Sequence, residues 1–202
     1  MGADLMVMLG ILFATIIIPG PDMLLISKYS LSRDPKAALF CNIGISIGVI
    51  IHMALALIGL AAVMAAGGWV YKIFKLAGAL YVMYLGLQSF RAGGSLKKID
   101  KRIKPDYKKA FRQGLLTNLL NVKVMIFMLV IFTQVIDPAY SLAQKLVFAA
   151  ILVTSAFLFW AGFTFFIRRP KVYKHLKKSE QHINMVFGAL LILFGLLLAV
   201  SP

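Results

Sequence analysis

The sequence predicts an all-α, polytopic membrane protein with six transmembrane helices, and three observations carry that prediction. The first is composition: 61% of the 202 residues are hydrophobic, only 14% are charged, and the mean hydropathy is +0.89. A soluble domain carries about 25% charged residues because it needs a polar surface. The second is arrangement. The apolar residues form long, glycine-punctuated runs without period-two alternation, which argues for spanning helices over a β-barrel. The third is that the basic residues lie in short stretches between those runs, as membrane topology requires.

About 20 helical residues cross the hydrocarbon core of a bilayer, and six runs qualify. They are about Leu5–Ile26 (interrupted at Pro19-Gly20-Pro21), Ala37–Met64, Val70–Phe90, Gly114–Ile136, Leu146–Ile167 and Ile183–Val200. Lys72 and Lys75, at the start of the third run, can snorkel to the interface. Of the 22 basic residues, eighteen fall in the stretches after runs one, three and five. Only Lys72, Lys75 and Lys145 fall on the other side, and Lys123 lies inside run four. The positive-inside rule then makes the basic stretches cytoplasmic and sends both termini outward. Three runs on each side of the long basic loop, about residues 92–112, enter the membrane from opposite sides. That is the geometry of a 3+3 inverted repeat. The expected organisation is one transmembrane domain: a first repeat of about residues 1–91, the loop, and a second repeat of about 113–202.

The same pattern excludes several classes. A net charge of +15 spread over inter-span loops points to anionic lipid rather than nucleic acid. Cys41 is the sole cysteine, so no intrachain disulfide forms, and its position reads as small buried packing. The start, Met1-Gly2-Ala3-Asp4, lacks a basic n-region, so the first run reads as a mature helix rather than a signal peptide. No metal-ligand cluster, nucleotide-binding loop or nucleophile–base pair is present. With seven carboxylates in the chain, and Asp22 the one placed within a span, an enzyme is not expected and neither is a cofactor.

Four residues carry the sharpest signal. In Pro19-Gly20-Pro21-Asp22 the prolines remove two backbone donors and glycine adds freedom, which breaks the first span. Such a break survives only when buried in protein or lining a wet cavity. The half-helix after it offers free N–H groups and a positive dipole end, a seat for a carboxylate. Asp22 sits at that start, as a cap for the second half-helix, a site residue, or both, or as an interfacial residue if the first span ends at Ile18. In span four, Asn118, Asn121 and Lys123 bring polar groups into an apolar run. A lysine at mid-membrane costs about 2.5–3.5 kcal/mol, so it faces the bundle interior or snorkels. On a continuous helix Asn121 and Lys123 point roughly 200° apart. Either the span is broken near Asn121, or only one of them lines a site. Gly44 and Gly48 in span two, with Gly78 and Gly86 in span three, read as close-packing positions. His52 reads as a hydrogen-bonded core residue.

At these residues the chain resembles the lysine exporter / homoserine–threonine exporter family (LysE/RhtB). The likeness runs through Pro19-Gly20-Pro21-Asp22, the Gly44–Gly48 pair with His52, Leu76-Ala77-Gly78-Ala79-Leu80-Tyr81-Val82-Met83-Tyr84-Leu85-Gly86, and Phe111-Arg112-Gln113-Gly114-Leu115-Leu116-Thr117-Asn118-Leu119-Leu120-Asn121. It ends in the Gly188 and Gly195 region. One position departs: the family reads Asn-Pro-Lys where this chain has Asn121-Val122-Lys123, which puts the second helix break in question. The resemblance implies proton-driven efflux of amino acids or close derivatives from a bacterial or archaeal cytoplasmic membrane. In that reading Asp22 holds the substrate ammonium or a coupling proton. The half-helix start after Pro21 holds the carboxylate, and Asn118, Asn121 and Lys123 complete the site. The partners are then an amino acid, protons and membrane lipid, with oligomerisation left open. Two rivals stand beside it. A metal or inorganic-ion transporter would need several carboxylates or histidines in the spans, where only Asp22 and His52 are available. A non-transporting scaffold would dock partners on its basic loops and would not need the broken helix.

The charge asymmetry predicts that a Ser95→Cys label site, in a Cys41→Ser background, is protected from an impermeant external thiol reagent in intact cells. Labelling from outside would refute the orientation.

Overall fold

A computed structural model describes residues 2–18, 20–32, 34–65, 68–91, 106–137 and 139–200. Pro19 and most of the 92–112 loop lie outside these residues. Among them the secondary structure is helical throughout: α1 (Gly2–Ile17), α2 (Pro21–Ser30), α3 (Lys36–Ala65), α4 (Gly68–Arg91), α5 (Tyr107–Leu119), α6 (Val122–Val130), a π-helical turn (Ile131–Val135), α7 (Leu142–Ile167) and α8 (Pro170–Val200). The starts follow from local chemistry. Asp106 caps α5, its carboxylate accepting from Lys109 N. Ser141 and Gln144 close a reciprocal capping box on α7, satisfying donors that the first turn leaves without partners.

By length and apolarity α3, α7 and α8 each suffice to cross a bilayer, and α1 with α2, bent by 65° between them, suffices when the pair is counted as one broken span. The apolar part of α4 is shorter, Leu76–Phe90, because Lys72 and Lys75 stand in its first turns. The fourth apolar run is divided into α5 and α6 at Leu120–Asn121. Helix α8 begins at Pro170, well before Ile183 where the apolar run starts. At 1.5 Å per residue it is about 46 Å long, more than a bilayer core requires. Its basic first third continues the helix beyond the apolar portion.

The core is not central to one layer. A large apolar cluster joins α1, α2, α3, α6 and α7 through residues such as Met8, Leu12, Ile26, Ile45, Phe132, Leu152 and Trp160. A smaller one, Ile18, Ala79, Val82, Val130 and Leu191, docks α4 and α8 against it. Large apolar side chains point outward from every long helix, including Ile50 and Leu55 on α3, Trp69 and Leu80 on α4, Leu158 and Phe165 on α7, and Leu193 and Leu197 on α8. A water-facing surface does not carry apolar area on this scale, whereas a lipid-facing one requires it.

Two helix pairs are fused by glycine. A Cβ on Gly114 would lie 2.2 Å from Cys41 O, and one on Gly44 would lie 2.2 Å from Phe111 O. These matched positions make α3 and α5 run parallel, backbone against backbone. A Cβ on Gly86 would lie 2.6 Å from Gly188 O, and one on Gly195 2.8 Å from Ala79 O, so α4 and α8 run antiparallel. Gly78 faces Val130 Cγ2, which a Cβ would meet at 3.1 Å. Small residues let spanning helices approach this closely, and dispersion over the contact then holds them.

Gly114→Val should therefore push α3 and α5 apart. Overpacking of this kind costs about 1–3 kcal/mol or more, expected as a lowered thermal transition in detergent. Gly162→Ala, where a Cβ meets nothing within 4 Å, should leave the transition unchanged.

Candidate substrate-binding site

The two helix breaks face each other. In the first, Gly20 occupies the cap position of α2 with extended backbone, φ −154° and ψ −175°, and Pro21 opens the helix. Any residue adopts that backbone. Glycine leaves room for the lysine, since a Cβ there would lie 2.9 Å from Lys123 Nζ and would displace the ammonium. Asp22 is therefore not the cap of α2. It stands in the first turn, 7% exposed, where the helix dipole favours negative charge.

In the second break, Asn121 turns extended, φ −81° and ψ 92°, and its side chain accepts from Lys123 N at 3.2 Å. Asn121 is thus the cap of α6, and Val122 is its first residue. A proline at that position would delete only an N–H that has no helical partner. Asparagine capping makes the break without it, which is why Val122 is accommodated. Both expected alternatives hold: the span is broken at Asn121, and of Asn121 and Lys123 only Lys123 lines the cavity, together with Asn118.

That cavity has a volume of about 40 Å³ and is lined on its polar side by Thr15, Gly20, Asp22, Asn118 and Lys123. Its walls are apolar, from Leu12, Ile45, Val49, Phe127, Met128 and Trp160 among others. Lys123 does not snorkel. Its ammonium donates to Thr15 O and Ile18 O, each at 3.3 Å, where the unpaired carbonyls of α1 present the negative end of its dipole. Asn118 Nδ2 donates to Asp22 Oδ2 at 2.9 Å. Asn118 is fully buried against Gly48, whose Cβ would meet its Oδ1 at 2.5 Å. The glycine pair of span two thus seats a polar residue as well as packing helices.

His52, expected only as a core residue, joins this group. It is buried, and its Nε2 lies 3.0 Å from Asn118 O. A carbonyl only accepts, so Nε2 carries the proton and donates. Gly44, Gly48 and His52 share one face at four-residue spacing, a signal that the sequence contained. Thr15 was legible only as a residue before the break. Glu180, assigned by the sequence to a loop, is 3% exposed on α8 and lines a second cavity with Ile17, Met23 and Phe159. Asp22 is therefore not the one carboxylate buried in the bundle. Pro21 is exposed and opens α2 rather than touching the cavity, and Pro19 lies outside the described residues.

Asp22 Oδ1, Asn118 Oδ1, His52 Nδ1 and Asn121 Nδ2 are buried without a hydrogen-bond partner among the described residues. Finished folds leave few such atoms unpaired. Of these residues Asp22 and Asn118 line the cavity with Lys123, and a carboxylate, an ammonium and one amide around one apolar-walled space suit a small zwitterion. Among the described residues, no three His, Cys, Asp or Glu side chains assemble to hold a metal ion.

The chain matches the LysE type translocator family over residues 13–202. It is 30% identical over 190 residues to the threonine efflux protein of Escherichia coli (strain K12), covering 91% of this chain and 91% of that protein. It is 27% identical over 182 residues to the homoserine/homoserine lactone efflux protein of Salmonella typhimurium (strain LT2), covering 90% and 88%. The uncharacterized membrane protein YrhP of Bacillus subtilis (strain 168) is 29% identical over 191 residues, covering 90% and 91%. No solved structure matches. A match that spans both helix breaks and both glycine-fused pairs places this multi-pass membrane protein in the LysE type translocator family.

Proposed function

We propose that this protein exports a small amino acid or close derivative, threonine- or homoserine-like, across the cytoplasmic membrane in exchange for protons. The observation that carries the reading is the placement of Asp22 and Lys123, each just past a helix break, in the lining of one cavity. Asp22 takes the substrate ammonium, or the coupling proton when the site is empty. Lys123 and the start of α2 take the carboxylate. Asn118 fixes the Asp22 carboxylate through its 2.9 Å bond, and the apolar wall accepts a short side chain. The chain works as a transporter rather than an enzyme.

The proposed topology has six spans, with α4 as the third and α5–α6 as the fourth. Three features support an inverted repeat: the first span of each half is broken, α3 runs parallel to α5, and α4 runs antiparallel to α8. Those directions are the ones that alternating spans require. The basic loops then face the cytoplasm and both termini face outward. One proton moving inward through 100 mV releases about 2.3 kcal/mol, enough to sustain roughly a fiftyfold gradient of a neutral solute.

Asp22→Asn tests the reading. It keeps shape and removes the charge, and a charged hydrogen bond is worth about 1.5–3 kcal/mol. Proton-driven uptake of radiolabelled threonine or homoserine into inverted vesicles should fall roughly ten- to a hundredfold at unchanged protein abundance. Uptake at the wild-type rate would remove Asp22 from the site. A counterflow panel across amino acids with the purified wild type identifies the substrate.

A further inference from the structure

We propose that α2 is the moving gate on the basic-loop side of the cavity and that Arg168 is its latch. The inference rests on reading the Asp22 cavity as the substrate site. Asp22 lies at one end of α2, and the rest of that helix stands between the cavity and the basic-loop end. Ile26, Ser27, Tyr29 and Ser30 are all 2% exposed or less, so packed side chains close that route. A solute can pass only if α2 shifts.

The attachments of α2 suit such a shift. At its start Gly20 separates it from α1, and the two axes already differ by 65°. At its far end the apolar packing of Ile26 and Tyr29 is joined by a small set of polar contacts. Arg168 Nη1 donates to Ser30 O at 2.7 Å and to Ser32 O at 3.3 Å. Ser30 Oγ donates to Thr164 Oγ1 at 3.2 Å, and Tyr29 OH donates to Gln113 Oε1 at 2.7 Å. The carbonyls that Arg168 meets close the C-terminal end of α2, where a cation is favoured. Arg168 is exposed, so water can replace its bonds when the latch opens. The glycine-fused pairs α3–α5 and α4–α8 have no such freedom, because any slide drives a Cβ into backbone. The element that can move is therefore the one that carries Asp22.

The test reads access to the cavity and needs no substrate. In a Cys41→Ser background, Val49→Cys provides a thiol on the cavity wall, and Ser30→Cys with Thr164→Cys provides a cross-link across the gate. A small cationic methanethiosulfonate is applied to oriented vesicles from each side. Oxidation of the pair should slow modification of Val49→Cys from the basic-loop side by about tenfold or more, with recovery on reduction and no change from the opposite side. Without the cross-link pair, Arg168→Ala should speed modification from the basic-loop side by about tenfold, and Arg168→Lys by less, because lysine keeps a charged donor for the same carbonyls. A pair that fails to cross-link, or a cross-linked protein whose Val49→Cys still reacts from the basic-loop side at the uncross-linked rate, would overturn the gate. Side-specific protection in a protein that exports neither threonine nor homoserine would support the gate and refute the substrate assignment alone.

Discussion

A helix that stops inside an apolar medium leaves bare carbonyls at one end and bare N–H groups at the other, and lipid can partner neither. This chain meets that demand twice, and each break supplies what the other lacks. Lys123, just past the second break, puts its ammonium on the carbonyl end of α1. Asp22, just past the first, is held by Asn118 from the last turn of α5. Asn121 caps α6 with its own side chain. Gly20 and Gly48 leave the room that Lys123 and Asn118 occupy. The polar cavity follows from these pairings, because the groups that solve the backbone problem are the ones that face it.

Stiffness is distributed unevenly around that cavity. Where glycine lets backbone touch backbone, register is fixed by hard contact, as in α3 with α5 and α4 with α8. Where contact is made by polar side chains near the ends of the molecule, it can be exchanged for water. Those ties persist across ordinary pH. Asp34, beside the end of α2, accepts from Tyr107 OH, and this bond, with the Lys36 N–H, holds its carboxyl below the usual range. Its contribution is therefore present above the ordinary carboxylate range and is lost only as pH falls through the lowered value. At the opposite end Tyr140 donates to Asp4 at 2.5 Å and stacks on Phe148. The Asp4 carboxylate pushes the Tyr140 hydroxyl up to about 12.

Much of this was legible in the residues alone, for specific reasons. Pro21 and Gly20 announce a break because neither can continue a helix cheaply. Asp22, Asn118 and Lys123 stand out because a polar group in an apolar run has to be accounted for. Gly44, Gly48, Gly78 and Gly86 stand out by spacing. The start of α8 was not legible, because hydropathy registers the lipid-facing part and is silent on a basic helix that continues beyond it. Glu180 was lost with it. His52 reads only as a core residue, because one histidine in an apolar run has no chemistry until its neighbour is known.

The sequence by itself determined that the chain is a helical membrane protein, which residues break its first span, and which side chains carry charge into the apolar region. Those are consequences of composition and of local backbone chemistry, and they do not depend on what packs where. Only the tertiary structure decided that the second break exists without proline, that Lys123 turns to α1 rather than to the interface, and that Asn118 joins Asp22 to His52. Each of the last two is a contact between residues far apart in the chain. Its partner is chosen by how closely glycine lets two helices approach, and that distance is a property of the packed bundle rather than of any segment within it.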